Sequence, residues 1–174
     1  GKHDNAMLQL NIFKNKLYAV SVFCAFISFL AISGHNFIQP FYLQKVQLLS
    51  AAQTGMLMMA YSLTMFVVAP FSGQLSDKIG SEILCFLGLC IVSVALFILS
   101  TLGIGSPIWI FLIGSIMMSF GMAMFQSPNT SLIMSTVGPK LTGIAGSVNG
   151  LARNLGSVFG ISLSTVLLYN IMSA

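Results

Sequence analysis

The chain reads as an all-α integral membrane protein, and three observations carry that reading. Five apolar stretches, about residues 17–41, 51–75, 83–102, 108–134 and 143–171, each reach or exceed the roughly 20 residues a helix needs to cross a bilayer core. Hydrophobic residues make up 56% of the 174 positions and charged residues only 6%, too few to keep five such helices dissolved in water. The lysines are also sided. With the N-terminal tail in the cytoplasm, Lys2, Lys14, Lys16, Lys78 and Lys140 fall on that side and only Lys45 on the other. This is the positive-inside pattern, so the formal charge of +4 anchors topology. With no basic patch interleaved with aromatics, a nucleic-acid partner is not expected.

The remaining composition narrows the function further. Cys24, Cys85 and Cys90 all lie inside apolar spans without a CxxC pair or metal-like spacing, so they are expected to pack as reduced, small hydrophobes. No metal set, Ser/His/Asp arrangement or phosphate-binding glycine loop is present, and neither an enzyme nor a bound cofactor is expected. The chain opens Gly1-Lys2-His3 without a signal-peptide pattern. Five crossings from the inside leave Met172-Ser173-Ala174 outside with no anchoring charge. The expectation is an internal piece of a longer membrane chain.

Residues 1–16 form a cytoplasmic or interfacial lead-in, in which Leu8-Gln9-Leu10-Asn11-Ile12-Phe13 precedes Lys14 and Lys16, a pattern suited to the headgroup level. The first span is aromatic and aliphatic until Ser33-Gly34-His35-Asn36 and Gln39-Pro40. His35 and Gln39, four apart, share a face that points either into a wet cavity or to the outer interface. The second span starts after Ser50, whose spacing to Gln53 predicts a capping box. The third is apolar almost all round and is expected to face lipid.

The fourth span holds Met117, Met118, Met122, Met124 and Met134 with Gly114, Gly121 and Pro128. Flexible thioethers suit a surface that accepts several shapes, and they equally suit ordinary core filling. Gln126, Ser127 and Asn129 flank Pro128, where the backbone is locally freed. In the fifth span Gly146, Gly150, Arg153, Ser157, Gly160 and Ser164 fall within about 40° of one line at 100° per residue, opposite a bulky apolar side. The pairs Gly146–Gly150 and Gly156–Gly160 permit close approach of a neighbouring helix. Arg153 sits about eleven residues in, roughly 16 Å deep, where an arginine costs at least about 2.5 kcal/mol. It needs a partner or a wet cavity unless it snorkels out.

Between the second and third spans runs Gly73-Gln74-Leu75-Ser76-Asp77-Lys78-Ile79-Gly80, read as a loop whose glycines permit a tight reversal and whose Asp77 caps a helix N-terminus. This loop resembles the G-x-L-x-D-[RK]-x-G loop of the major facilitator superfamily. Phe41-Tyr42-Leu43-Gln44, the stretch Gly121–Pro128, and Gly143-x-x-Gly146 through Arg153-Asn154-Leu155-Gly156 with Gly160 resemble the C-terminal half of its fourteen-helix drug:proton antiporter branch. Ser81-Glu82 depart from the pattern, since basic residues usually follow the second glycine.

The resemblance implies five transmembrane helices of a six-helix half bundle, the last helix and the whole N-terminal half lying outside these residues. It implies cavity-lining roles for helices 1 and 4, a border with the missing half for helices 2 and 5, and lipid contact for helix 3. The implied function is multidrug efflux by alternating access in a bacterial inner membrane, driven by the proton motive force on a small-molecule substrate. The implied substrate cavity takes in His35, Gln39, Met118, Met122, Phe125 and Gln126. Gly73, Asp77, Lys78 and Gly80 would form the gating loop, and Arg153 a structural or gating charge. The only carboxylates, Asp4, Asp77 and Glu82, all lie outside the spans, and arginine stays protonated, so a proton-carrying group is expected elsewhere. An importer of sugars or organic acids on the same fold, and a non-transporting membrane interaction module, are the rival expectations.

Overall fold

The computed structural model describes residues 12–139 and 141–173, the last three of these as backbone. The described elements are all helical, in the order α1 (Lys16–Phe41), α2 (Ala51–Ile79), α3 (Ser81–Ser100), α4 (Ile108–Ser135) and α5 (Thr142–Ser173). All five are long and apolar enough to cross a membrane. A short 3-10 turn, Ile12–Lys14, precedes α1, and a π-type turn, Tyr42–Val46, continues it beyond Pro40. The proposed interfacial run Leu8–Asn11 lies outside the described residues.

Local chemistry sets several of these ends. The Asn15 carboxamide accepts from the Leu17 and Tyr18 amides at 3.0 and 3.4 Å, closing the first turn of α1. Ser50 caps α2 through the reciprocal box with Gln53, in which the Gln53 amide donates to Ser50 Oγ at 3.3 Å and Ser50 N donates back at 3.0 Å. The other end of α2 corrects the sequence reading. Gly73–Ile79 is helix, not loop, and the reversal into α3 is made by Gly80 alone, at φ 95° and ψ 138°. Asp77 stands exposed in the last turn of α2, and α3 begins with no side-chain cap. The joint is instead spanned by the hydroxyls of Ser76 and Ser81, 2.7 Å apart.

The chain packs as two compact units. One comprises residues up to Phe37 together with those from Asn129 onward, and the other comprises Ile38–Pro128. In the first, Tyr18 and Val22 of α1 meet Ile133 of α4 and Ala145 of α5 in a small buried core. Here α5 lies backbone to backbone on α1. A Cβ at Gly156 would run into the Phe26 carbonyl oxygen, and one at Gly160 into the Leu30 carbonyl oxygen.

In the second unit α4 is central, and its neighbours hold it by small residues and hydroxyls. Gly88 of α3 and Gly121 of α4 cross so closely that a Cβ on either would stand 2.7–2.8 Å from the other's carbonyl oxygen. Ser72 of α2 donates to the Ala123 carbonyl at 2.7 Å, and Ser119 of α4 to the Tyr61 carbonyl at 2.6 Å. At the opposite end, the Tyr42 hydroxyl donates to the Gly103 carbonyl, and Gln47 donates to the Ser106 carbonyl at 2.9 Å.

The distribution of side chains is inverted relative to a water-soluble bundle. The buried residues of α2 are Thr54, Ser72 and Ser76, whereas Met56, Met59, Leu63, Phe66, Val67 and Phe71 are exposed. Between helices in lipid there is no hydrophobic driving force, so small residues and hydroxyls make the contacts and the greasy side faces outward. Helix α3 modifies its expectation: Leu84, Cys85, Gly88, Val92 and Ala95 form a buried edge, and only the remainder, with Phe86, Val94 and Phe97, is open. Its single stripe of contact was hidden in a uniformly apolar sequence because the contact residue, Gly88, has no side chain to mark it.

Candidate functional site

In the first unit the contact that seats α5 on α1 also positions its charge. Gly156 and Gly160 bring the backbones together, and Ser33 Oγ donates to Ser157 Oγ at 2.9 Å across the same seam. Just N-terminal to them on α5, Arg153 turns its Nη2 to Thr130 Oγ1 of α4 at 2.6 Å and lays its guanidinium over the Phe29 ring of α1, 5.1 Å from the centroid. Three helices thus converge on one cation. For the half-buried Arg153, a charge-assisted hydrogen bond contributes about 1.5–3 kcal/mol and a partly solvated cation–π contact about 0.5–1 kcal/mol, set against about 2.5–3.5 kcal/mol for an arginine at the centre of a span. Its Nε remains buried without a hydrogen-bond partner. Asn129, beside Thr130, donates from Nδ2 to the Ser21 carbonyl at 3.2 Å and ties α4 to α1 at this level.

Asn149, one turn before Arg153 on α5, is 3% exposed, and its Oδ1 also lacks a partner. Of the other glycines named on α5, Gly146 faces the Met134 terminal methyl, and Gly150 has nothing within 4 Å of where a Cβ would stand. The helix-packing set therefore divides: Gly156 and Gly160 make backbone contact, Gly146 meets a flexible side chain, and Gly150 borders open space. His35 is half-buried, with its Nε2 buried and unpartnered.

In the second unit the expected cavity residues are redistributed. Met118, Met122 and Phe125 are 0, 1 and 1% exposed, packed inside the unit. They lie in its core, where Ser72 of α2 and Gly88 of α3 meet α4. Gln39, 3% exposed, donates from Nε2 to Ser115 Oγ at 3.3 Å and serves as a buried tie. Gln126 is half-buried. Of the loop residues, Gly73 lies against Ser127, while Asp77, Lys78 and Gly80 are exposed.

Several residues in these contacts were not singled out from sequence: Phe29, Thr130, Asn149 and the α4 pair Ser115–Ser119. The last pair carried a signal, since hydroxyls four apart mark one inward edge of a span. Phe29 and Thr130 carried none, being an ordinary aromatic and an ordinary hydroxyl until a guanidinium reaches them.

Five long apolar helices, with apolar side chains exposed along α2 and parts of α3 and α5, define a multi-pass membrane protein. The profile of the Major Facilitator Superfamily matches residues 8–172, and the chain belongs to that superfamily. It is 28% identical over 159 residues to the riboflavin transporter RibZ of Clostridioides difficile, an alignment covering 91% of this chain and 35% of that protein. It is 25% identical over 162 residues to the multidrug resistance protein Stp of Mycobacterium tuberculosis, covering 93% of this chain and 30% of Stp. To the lincomycin resistance protein LmrB of Listeria monocytogenes it is 26% identical over 165 residues, covering 92% of this chain and 35% of LmrB. The chain spans about a third of the length of these relatives. Membership points to a transporter and away from an enzyme.

Proposed function

We propose that the polypeptide carrying this chain is a proton-coupled secondary transporter that exports lipophilic or cationic drugs by alternating access. The observation that carries the reading is the similarity, over nine-tenths of this chain, to relatives named for multidrug and lincomycin resistance. In this reading the N-terminal end faces the cytoplasm of a bacterial inner membrane, as Lys14, Lys16, Lys78 and Lys140 favour. The open apolar faces of α2 and α5 border the rest of the transporter. Gly80 and the exposed Asp77–Lys78 turn form the inner hinge, Arg153 supplies a gating charge, and the proton-carrying carboxylate lies outside these residues.

In a bacterial strain lacking its own drug pumps, the full polypeptide is expected to lower lincomycin accumulation several-fold, and a protonophore is expected to restore it. Accumulation unchanged by expression contradicts export, and lowered accumulation that survives a protonophore contradicts proton coupling. A second reading, transport of organic acids, is favoured by one observation: the charge set deepest within a span, away from the helix ends, is a cation, Arg153.

A further inference from the structure

Arg153 holds a positive charge about eleven residues into α5, and its partners among the described residues are neutral, the Thr130 hydroxyl and the Phe29 ring. Its Nε is a buried donor with no acceptor among the described residues. Asn149 Oδ1, four residues earlier and so on the same helix face, is a buried acceptor with no donor among the described residues. The two orphan atoms do not satisfy each other. Long helical side chains tend to lie back toward the preceding turn, which for Arg153 is the turn holding Asn149 and Gly150. At Gly150 the space a side chain would fill is open.

Unsatisfied buried polar groups are rare in native proteins, and two on one turn beside an opening call for a guest. The guest that completes them offers an acceptor bearing negative charge to the guanidinium and, beside it, a donor to the carboxamide. The geometry points to a binding site for a carboxylate-bearing solute with a neighbouring hydroxyl or N–H: the carboxylate on Arg153, the donor on Asn149 Oδ1, and an apolar body against Phe29. Guanidinium is the side chain best matched to a carboxylate, since its planar donors meet both oxygens. The site stands on these contacts alone and is independent of the direction or driving force of transport.

The test uses mandelate and phenylacetate, which differ by one hydroxyl, titrated into the full polypeptide purified in detergent. Both are expected to bind saturably, mandelate about tenfold tighter because it alone satisfies the Asn149 oxygen. Arg153→Met is expected to abolish both. Asn149→Ala is expected to keep phenylacetate affinity and erase the tenfold preference. Asn149→Asp is expected to abolish both, its carboxylate pairing with the arginine one turn away. Should Arg153→Met fail to give a monodisperse protein, the two Asn149 variants decide. Absence of saturable binding in the parent protein, equal affinity for the two acids, or a preference that survives Asn149→Ala overturns the assignment.

Discussion

Gly160→Leu is expected to remove most of the folded protein, measured as the loss of the monodisperse peak of the detergent-solubilised full polypeptide. The reason is the nature of the neighbour. A Cβ at Gly160 meets the Leu30 carbonyl carbon and oxygen, which are backbone and cannot rotate aside as a side chain can. Ordinary overpacking costs about 1–3 kcal/mol, and a collision with backbone falls at or beyond the upper end. Parting α1 from α5 would also break the Ser33–Ser157 hydrogen bond and lift the Arg153 guanidinium off Phe29. Gly150→Leu is the matched control, because open space surrounds that position. The same glycine-to-leucine change one turn from Arg153 should leave the peak intact. Equal tolerance at both positions would contradict the packing described for the first unit.

Arg153→Ala is expected to abolish transport by the full protein while leaving its amount in the membrane unchanged. The substitution removes a cation at mid-depth together with its desolvation cost. The loss of the Thr130 hydrogen bond and the Phe29 contact is thereby offset, and insertion is preserved. What disappears is the cation about eleven residues inside α5. Arg153→Lys should rescue poorly, since an ammonium cannot hold Thr130 while presenting a planar face to Phe29. Quantitative immunoblotting of membranes beside a transport assay separates the two effects. Full transport with alanine at this position would remove Arg153 from the mechanism, and loss of the protein from the membrane would make its role purely structural.

How much was legible in the sequence follows from what each feature depends on. The five spans depend on hydropathy and length, and the Ser50–Gln53 cap on local spacing, so both were readable before any coordinates. The glycines on α5 signalled a close approach but not its partner; only packing shows that Gly156 and Gly160 meet Phe26 and Leu30 while Gly150 meets nothing. Gly73–Gly80 misled because glycine and aspartate favour turns in general. Inside α2 the helix continues to Ile79, with Ser72 tied to α4 and one glycine at positive φ sufficient for the reversal.

The methionines of α4 illustrate the opposite difficulty. Thioethers serve cavity walls and cores alike, and nothing in Met118 or Met122 distinguishes the two until neighbours close around them. Arg153 was marked by its depth alone, which requires a partner without naming one. Thr130 and Phe29 come from other helices, and Asn149 matters only because its oxygen is left unpaired.

The proposed function of the full polypeptide is export of drugs in exchange for protons. The most direct measurement is lincomycin flux in proteoliposomes holding the full polypeptide under an imposed pH difference. The account predicts flux that reverses direction when the pH difference is inverted and that vanishes with Arg153→Ala. Flux indifferent to the pH difference, or no flux above empty liposomes, would contradict it.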